Sequence, residues 1–286
     1  MKWIIGLPLL VVGGALSVIA RGWAREYREE LQLYQFKLPI LADLGFWLLA
    51  KLHIPWSVTY LRKTRGKLTE LYGARQVEVY LEVHIAQKIV MGLAGYLIFD
   101  FLYLVGDTEV SFLVVGLLVG GLLFLWPDQD LQKKVKLRKE SILIDLPGFL
   151  NSLVLLVSAG LPFGGAVQKV VGEASMERPL YRELSVVLAE QGAGKPISQS
   201  YEDLAHRCKV PEITRMVSTI IQNLHRGSGD LVHILHLLAQ EAWERRKDIA
   251  KRQGEEASSK LVIPMVMVFL AVVIIVIAPA IITMSR

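Results

Sequence analysis

The chain has almost no cysteine and no sustained alternation of polar and apolar residues. A single cysteine, Cys208, in 286 residues rules out an intramolecular disulfide, and its place in a charged amphipathic stretch suits a reducing compartment. Without a two-residue period there is no basis for half-buried strands. Charge is scarce as well, at 21% against about 25% in an ordinary domain. It is almost missing from four long stretches. With 53% hydrophobic residues and a mean hydropathy of +0.42, the chain is more apolar than a soluble fold, which is about 45 to 50% apolar even with glycine counted. Lipid must cover the excess.

These stretches are Ile4 to Ala20, Ile89 to Val105, Val110 to Trp126 and Leu261 to Met284, and Asp100 is the one charge among them. The last, at about 1.5 Å per residue, crosses a hydrocarbon core of about 30 Å as a helix, and the other three stand at the lower limit of roughly 17 to 25 residues for a spanning helix. The first is read as a retained anchor, because Arg21, Arg25 and Arg28 follow it and no small-x-small cleavage site does. Only Gly106, Asp107, Thr108 and Glu109 separate the second from the third, so those two form a tight hairpin.

The net charge of +5 and pI near 9.2 come from lysine and arginine flanking these spans, which points to topology and away from nucleic acid. Arg62, Lys63, Arg65, Lys67, Arg75 and Lys88 precede the hairpin, and Lys133, Lys134, Lys136, Arg138 and Lys139 follow it. The positive-inside rule places both flanks in the cytoplasm and both termini outside. The expected order is a first span at 1–20, an N-terminal cytoplasmic helical segment at 21–88, a transmembrane hairpin at 89–126, a cytoplasmic helical bundle at 127–260 and a last span at 261–286. Pro39, Pro55 and Gly66 interrupt the segment at 21–88.

In 127–260 apolar residues recur at spacings of three and four. Ile142, Leu146, Phe149, Leu150, Leu153 and Val157 make one stripe. Leu180, Leu184, Val187 and Leu188 make a second, and Ile197, Tyr201, Leu204 and Cys208 a third. Ile213, Met216, Val217, Ile220, Ile221 and Leu224 follow, then Leu231, Ile234, Leu235, Leu238 and Ala242. Gly160-Leu161-Pro162, Gly192 to Pro196, Val210-Pro211 and Gly227 to Asp230 punctuate them. Short connections of this kind predict an antiparallel bundle, and the fold class is an all-α integral membrane protein with about four spans.

No reactive constellation is complete. Gly194-Lys195 lacks the first glycine and the hydroxyl of a phosphate-binding loop, with Ala189 and Pro196 in those positions. His225, His233 and His236 have no acid or thiol at ligand spacing, so neither metal nor cofactor is expected. Ser258, Ser259 and Lys260 resemble a Ser-Lys pair, but adjacent helical residues diverge in direction. Gly227-Ser228-Gly229-Asp230 matches the Gly-x-Gly-Asp signature of intramembrane aspartic proteases, a family that includes prepilin peptidases. That chemistry needs a second aspartate at membrane depth, so the preferred reading is a turn in which Asp230 caps a helix starting at Leu231. Asp100 is the one ionisable residue inside a span, a functional candidate or a side chain reaching the outer interface.

Asp145-Leu146-Pro147, Ser158-Ala159-Gly160-Leu161-Pro162, Pro179-Leu180, Glu183, Gly194, Leu204-Ala205, the Gly227-Ser228-Gly229 turn with Leu231 and Leu235, and Leu261 to Pro264 stand in a recognisable order. Over roughly residues 137 to 284 the chain resembles the F-type inner-membrane platform family of type II secretion systems, type IV pili and Tad pili. Secretion-type members carry two copies of the helical domain. One copy is found here, a layout similar to the TadB/TadC branch. The resemblance implies a non-enzymatic scaffold that touches a secretion ATPase in the cytoplasm and pilin or pseudopilin subunits in the membrane. It also implies a homo-oligomer or a hetero-oligomer with a paralogue.

The candidate interaction and coupling residues are Asp145, Gly160, Pro162, Gly227, Gly229, Asp230, Arg245, Arg246 and Asp100. Arg245 and Arg246 belong to a charged connector, Glu241 to Glu256, whose opposite charges at helical spacing can keep it helical in water. Bundle helix and last span are therefore expected to run as nearly one rod. The rival functions are an aspartic protease using Asp230 and a small membrane transporter or receptor.

Overall fold

A computed structural model of the chain describes residues 20, 22, 24, 27–34, 36–38, 41–51, 58–74, 76–105, 111–223 and 228–284. Among them are ten helices and no strand: α1 (Arg28–Tyr34), α2 (Ala42–Lys51), α3 (Val58–Tyr72), α4 (Val77–Val105), α5 (Ser111–Ser158), α6 (Phe163–Glu173), α7 (Pro179–Gly192), α8 (Ile197–Cys208), α9 (Pro211–Asn223) and α10 (Ser228–Met284). Three of these, α4, α5 and α10, contain stretches long and apolar enough to cross a membrane. The expected first span, up to residue 19, and the turn Gly106 to Glu109 lie outside the described residues.

The chain divides into two compact units, Met1–Arg138 and Lys139–Arg286. In the first, α1, α2 and α3 pack on α4 around Tyr34, Phe46, Leu68, Tyr80 and Val83. Aromatic stacking tightens that core: Tyr72 lies 3.9 Å from Tyr80, and Tyr27 lies 4.4 Å from Phe46. Gly66 does not interrupt the segment as its sequence suggests, because α3 runs through it. A helix-interior glycine costs only about 1 kcal/mol, which the packing of Leu68 and Tyr72 offsets.

The membrane hairpin is built on glycine. A Cβ on Gly120 would sit 2.9 Å from the Gly92 carbonyl oxygen, and one on Gly116 would sit 2.7 Å from the Phe99 Cβ. Removing side chains at these points lets two backbones approach, which is how helices associate where no water drives them together. Asp100 is buried and both its carboxylate oxygens lack a hydrogen-bond partner.

In the second unit every member of the first predicted stripe, Ile142 to Val157, is buried, and it is joined by Phe163, Val167, Leu184, Leu204, Ile213, Met216, Leu231 and Leu235. Ile197 departs from its stripe and is 46% exposed. It occupies the first position of α8, before the helix has turned its apolar face inward. Successive helices pack on one another from α6 to α10. The ion pairs Glu212 with Arg245 and Arg215 with Glu241 descend one helix as they ascend the other, so α9 and α10 are antiparallel.

Two helices are longer than a domain needs. Helix α5 keeps 48 residues through Pro127 and Pro147, and α10 keeps 57 through Gly254 and Pro264, about 85 Å of continuous helix. The packing at the hairpin yields a paired test. Gly120→Ala should lose about 1 to 3 kcal/mol in unfolding of the detergent-solubilised protein. Gly121→Ala, whose Cβ meets nothing within 4 Å, should lose nothing, and equal losses would contradict the packing described.

Candidate functional site

The corners of the second unit repeat one device. Gly160 takes φ +92°, its N–H donates to the Val157 oxygen at 3.0 Å, and the Leu161 N–H donates to the Leu156 oxygen at 3.1 Å. This is a Schellman stop, which satisfies carbonyls at the end of α5 and needs the left-handed conformation that glycine adopts freely. Pro162 then stands at the N-cap of α6. Gly194 does the same at φ +90°, with Lys195 donating to the Glu190 oxygen at 3.1 Å and Pro196 at the N-cap of α8. Stop and start are thus set by three consecutive residues at each corner.

Polar seams lock the helices between these corners. Arg207 donates to Glu183 at 2.8 Å and to Glu190 at 3.1 Å, while Lys195 bonds both Glu190 and Asp203. Arg245 meets Glu212 at 3.2 Å across α9 and α10. Asp145, on α5, pairs with Arg178 at 3.2 Å. Burial pushes the Asp145 carboxyl up, while Arg178 and Arg246 pull it the other way. The structure therefore brings Asp145 and Arg246, far apart in sequence, into one electrostatic group, with the Arg246 guanidinium also 5.0 Å over the Trp243 ring.

The glycine turn differs from its expected form. Helix α10 starts at Ser228, so Gly229 and Asp230 lie in its first turn and Asp230 is not a cap ahead of Leu231. Gly227 lies outside the described residues, as does His225. Among the described residues no group of three or more histidines, cysteines or acids is placed to hold a metal.

One polar cluster was missed by sequence reasoning. In the first unit His84 is wholly buried and the Lys88 side chain is 3% exposed, and both meet Asp128 of α5. Lys88 Nζ lies 2.7 Å from Asp128 Oδ2 and donates to the Tyr60 hydroxyl at 2.9 Å. The Tyr60 hydroxyl in turn donates to Asp128 Oδ1 at 2.7 Å. Burial holds the Tyr34 phenol well above its usual range, so it keeps its proton and donates to His84 Nδ1 at 2.6 Å. His84 Nε2–H is left to donate to Asp128 Oδ1 at 2.9 Å. Burial alone would raise the Asp128 carboxyl, but the hydrogen bonds from His84, Lys88 and Tyr60 outweigh it and hold the group well below the usual range. The available signal was a lysine just before Ile89 and an aspartate just after Trp126, opposite charges at matching ends of two hairpin spans.

Residues 149–279 match the family model of type II secretion system protein F. This stretch, a little under half of the chain, is similar to the F domain of that family. The F domain begins on α5 and ends within the last span, so it takes in both Gly-x-Pro corners, the seams and the connector. Asp100, Asp145 and the Asp128 cluster stand before it. No curated protein and no solved structure gives a significant match.

The cluster outside the F domain carries its own test. Asp128→Ala leaves Lys88 and His84 buried without their acceptor and should cost about 3 kcal/mol in denaturant unfolding. Asp130→Ala removes two partly exposed pairs, with Lys37 and Lys134, each at 3.6 Å and should cost no more than about 1 kcal/mol. Similar losses from both would show that Asp128 holds nothing together.

Proposed function

We propose that this chain is the non-enzymatic inner-membrane platform of a Tad-type pilus assembly or type II secretion machine. It couples a cytoplasmic secretion ATPase to movement of pilin or pseudopilin subunits in the membrane. Residues 21–88 and 127–260 lie in the cytoplasm, and both termini lie outside, as the lysine and arginine distribution favours. Candidate contacts on the moving parts are the Asp145 group, the corner at Gly160 and Pro162, and the connector with Arg245 and Arg246.

The observation that supports coupling is the continuity of α10. Its first half packs in the F-domain core through Leu231, Leu235, Ala239 and Ala242, and the same helix continues into the most apolar span. From Lys251 to Val272 every residue is exposed. No described residue braces that stretch, so a displacement of the bundle travels along one helix into the bilayer, where a pilin would receive it.

Inserting Gly-Gly-Pro-Gly after Gln253 breaks the helix where Gly254 already weakens it and leaves both flanks able to fold. The expected outcome is normal membrane insertion and normal ATPase recruitment, with no pili or secreted product. Wild-type assembly by the insertion mutant would rule the rigid connector out.

A further inference from the structure

The level at which the first unit leaves the bilayer is fixed by contacts around α4. Lys88, the last residue before the apolar run from Ile89, pairs with Asp128, just beyond Trp126, and Lys37 places its ammonium 5.0 Å over the Trp126 ring. Helix α3 begins at this level, because Tyr60 in its first turn bonds both Lys88 and Asp128. Helix α2 lies there too: a Cβ on its Gly45 would come 2.7 Å from Val90 Cγ2 and 2.9 Å from the Ala86 oxygen. His84 and Lys88 face α3 while Ala86 and Val90 face α2, and positions two apart on a helix are about 200° apart around its axis. The two helices therefore flank α4 on opposite sides at the edge of the hydrocarbon.

Both carry cations there that the protein leaves unused. Arg62 and Lys63 follow Tyr60 within about 5 Å along α3, both are exposed, and neither has an ion-pair partner among the described residues. Acid is within reach of this helix, since Arg65 pairs with Glu78. On the other side, α2 runs Gly45-Phe46-Trp47-Leu48-Leu49-Ala50 and ends on exposed Lys51, whose ammonium sits 4.9 Å over the Trp47 ring. An apolar helix with tryptophan and a terminal lysine is the pattern of a segment lying in the headgroup layer.

We propose that Lys51, Arg62 and Lys63 form a two-sided collar that binds the phosphates of anionic phospholipids around the inner end of α4. Arg62 supplies a fork that can take two phosphate oxygens, and the lysines supply point charges. Trp47 sits among the upper acyl carbons. The collar selects lipid by headgroup charge, beyond setting topology, and it does not depend on what the F domain moves.

The test uses the full chain in detergent, given an equal mixture of phosphatidylglycerol and phosphatidylcholine, with retained lipids counted by native mass spectrometry. Wild type should keep phosphatidylglycerol several-fold over phosphatidylcholine. The triple variant Lys51→Gln, Arg62→Gln, Lys63→Gln should lose that preference, by up to about fivefold per cation. Lys169→Gln, Lys209→Gln, Lys247→Gln, an equal charge loss in the second unit, should keep it. The charge-keeping swap Lys51→Arg, Arg62→Lys, Lys63→Arg should keep most of it. Arg62→Gln alone, at an exposed site, makes the same comparison should the triple variant fold poorly. Equal retention of both lipids by wild type, an unchanged preference in the neutral variants, or an equal loss in the second-unit control would each overturn the collar.

Discussion

Hydrocarbon offers a peptide group nothing to bond with, and the rest of this molecule follows from that constraint. A chain can enter the bilayer only with its backbone already satisfied, which for isolated segments means helix. Here the helices that satisfy it do not stop at the boundary. Helix α5 enters as one arm of the hairpin and continues as the first stripe of the F-domain core, through two prolines. Helix α10 leaves the same core and continues into the last span. The helical core of the second unit is thus continuous in backbone hydrogen bonding with two helices long and apolar enough to cross a membrane.

The two units meet the boundary in different ways. In the first, charge is gathered where the lipid ends: Asp128 accepts from Tyr60, His84 and Lys88 at once, so the buried His84 and Lys88 both have their acceptor. A buried pair of this kind adds little net stability over an apolar core, but losing one member is costly, so it fixes how α4 and α5 sit against each other. The second unit keeps its charge in seams between helices and its corners in Gly-x-Pro stops. Among the described residues, Ser200, Cys208 and Asn223 are the exceptions buried with that otherwise apolar core.

Much of this was legible from residue patterns, and the misses have physical reasons. The stripe from Ile142 to Val157 is buried as read, because a bundle helix must turn its apolar face inward. The Gly160 and Pro162 corner was readable because only glycine adopts the left-handed stop freely. Gly66 misled because one glycine costs less than the packing around it contributes. Asp230 misled because cap and first turn differ by a residue or two, which composition does not resolve. The Asp128 cluster draws its members from α1, α3, α4 and α5, and pairings across that much sequence leave no periodic trace. Asp145 and Arg246 were each singled out, but their nearness depends on how α5 and α10 pack, which neither stripe records.

The central claim is that α10 is one stiff helix between the F-domain core and the bilayer. It is tested most directly by a distance. Spin labels at Glu244→Cys and Val266→Cys, both exposed positions, would be introduced with the buried Cys208 replaced by alanine, and the chain reconstituted in lipid bilayers. Twenty-two residues of unbroken helix set the backbone separation at about 33 Å. A single narrow distribution at that distance is the expected result for double electron–electron resonance. A broad or two-peaked distribution reaching to shorter distances would show a hinge at Gly254 and contradict a rigid path from bundle to membrane.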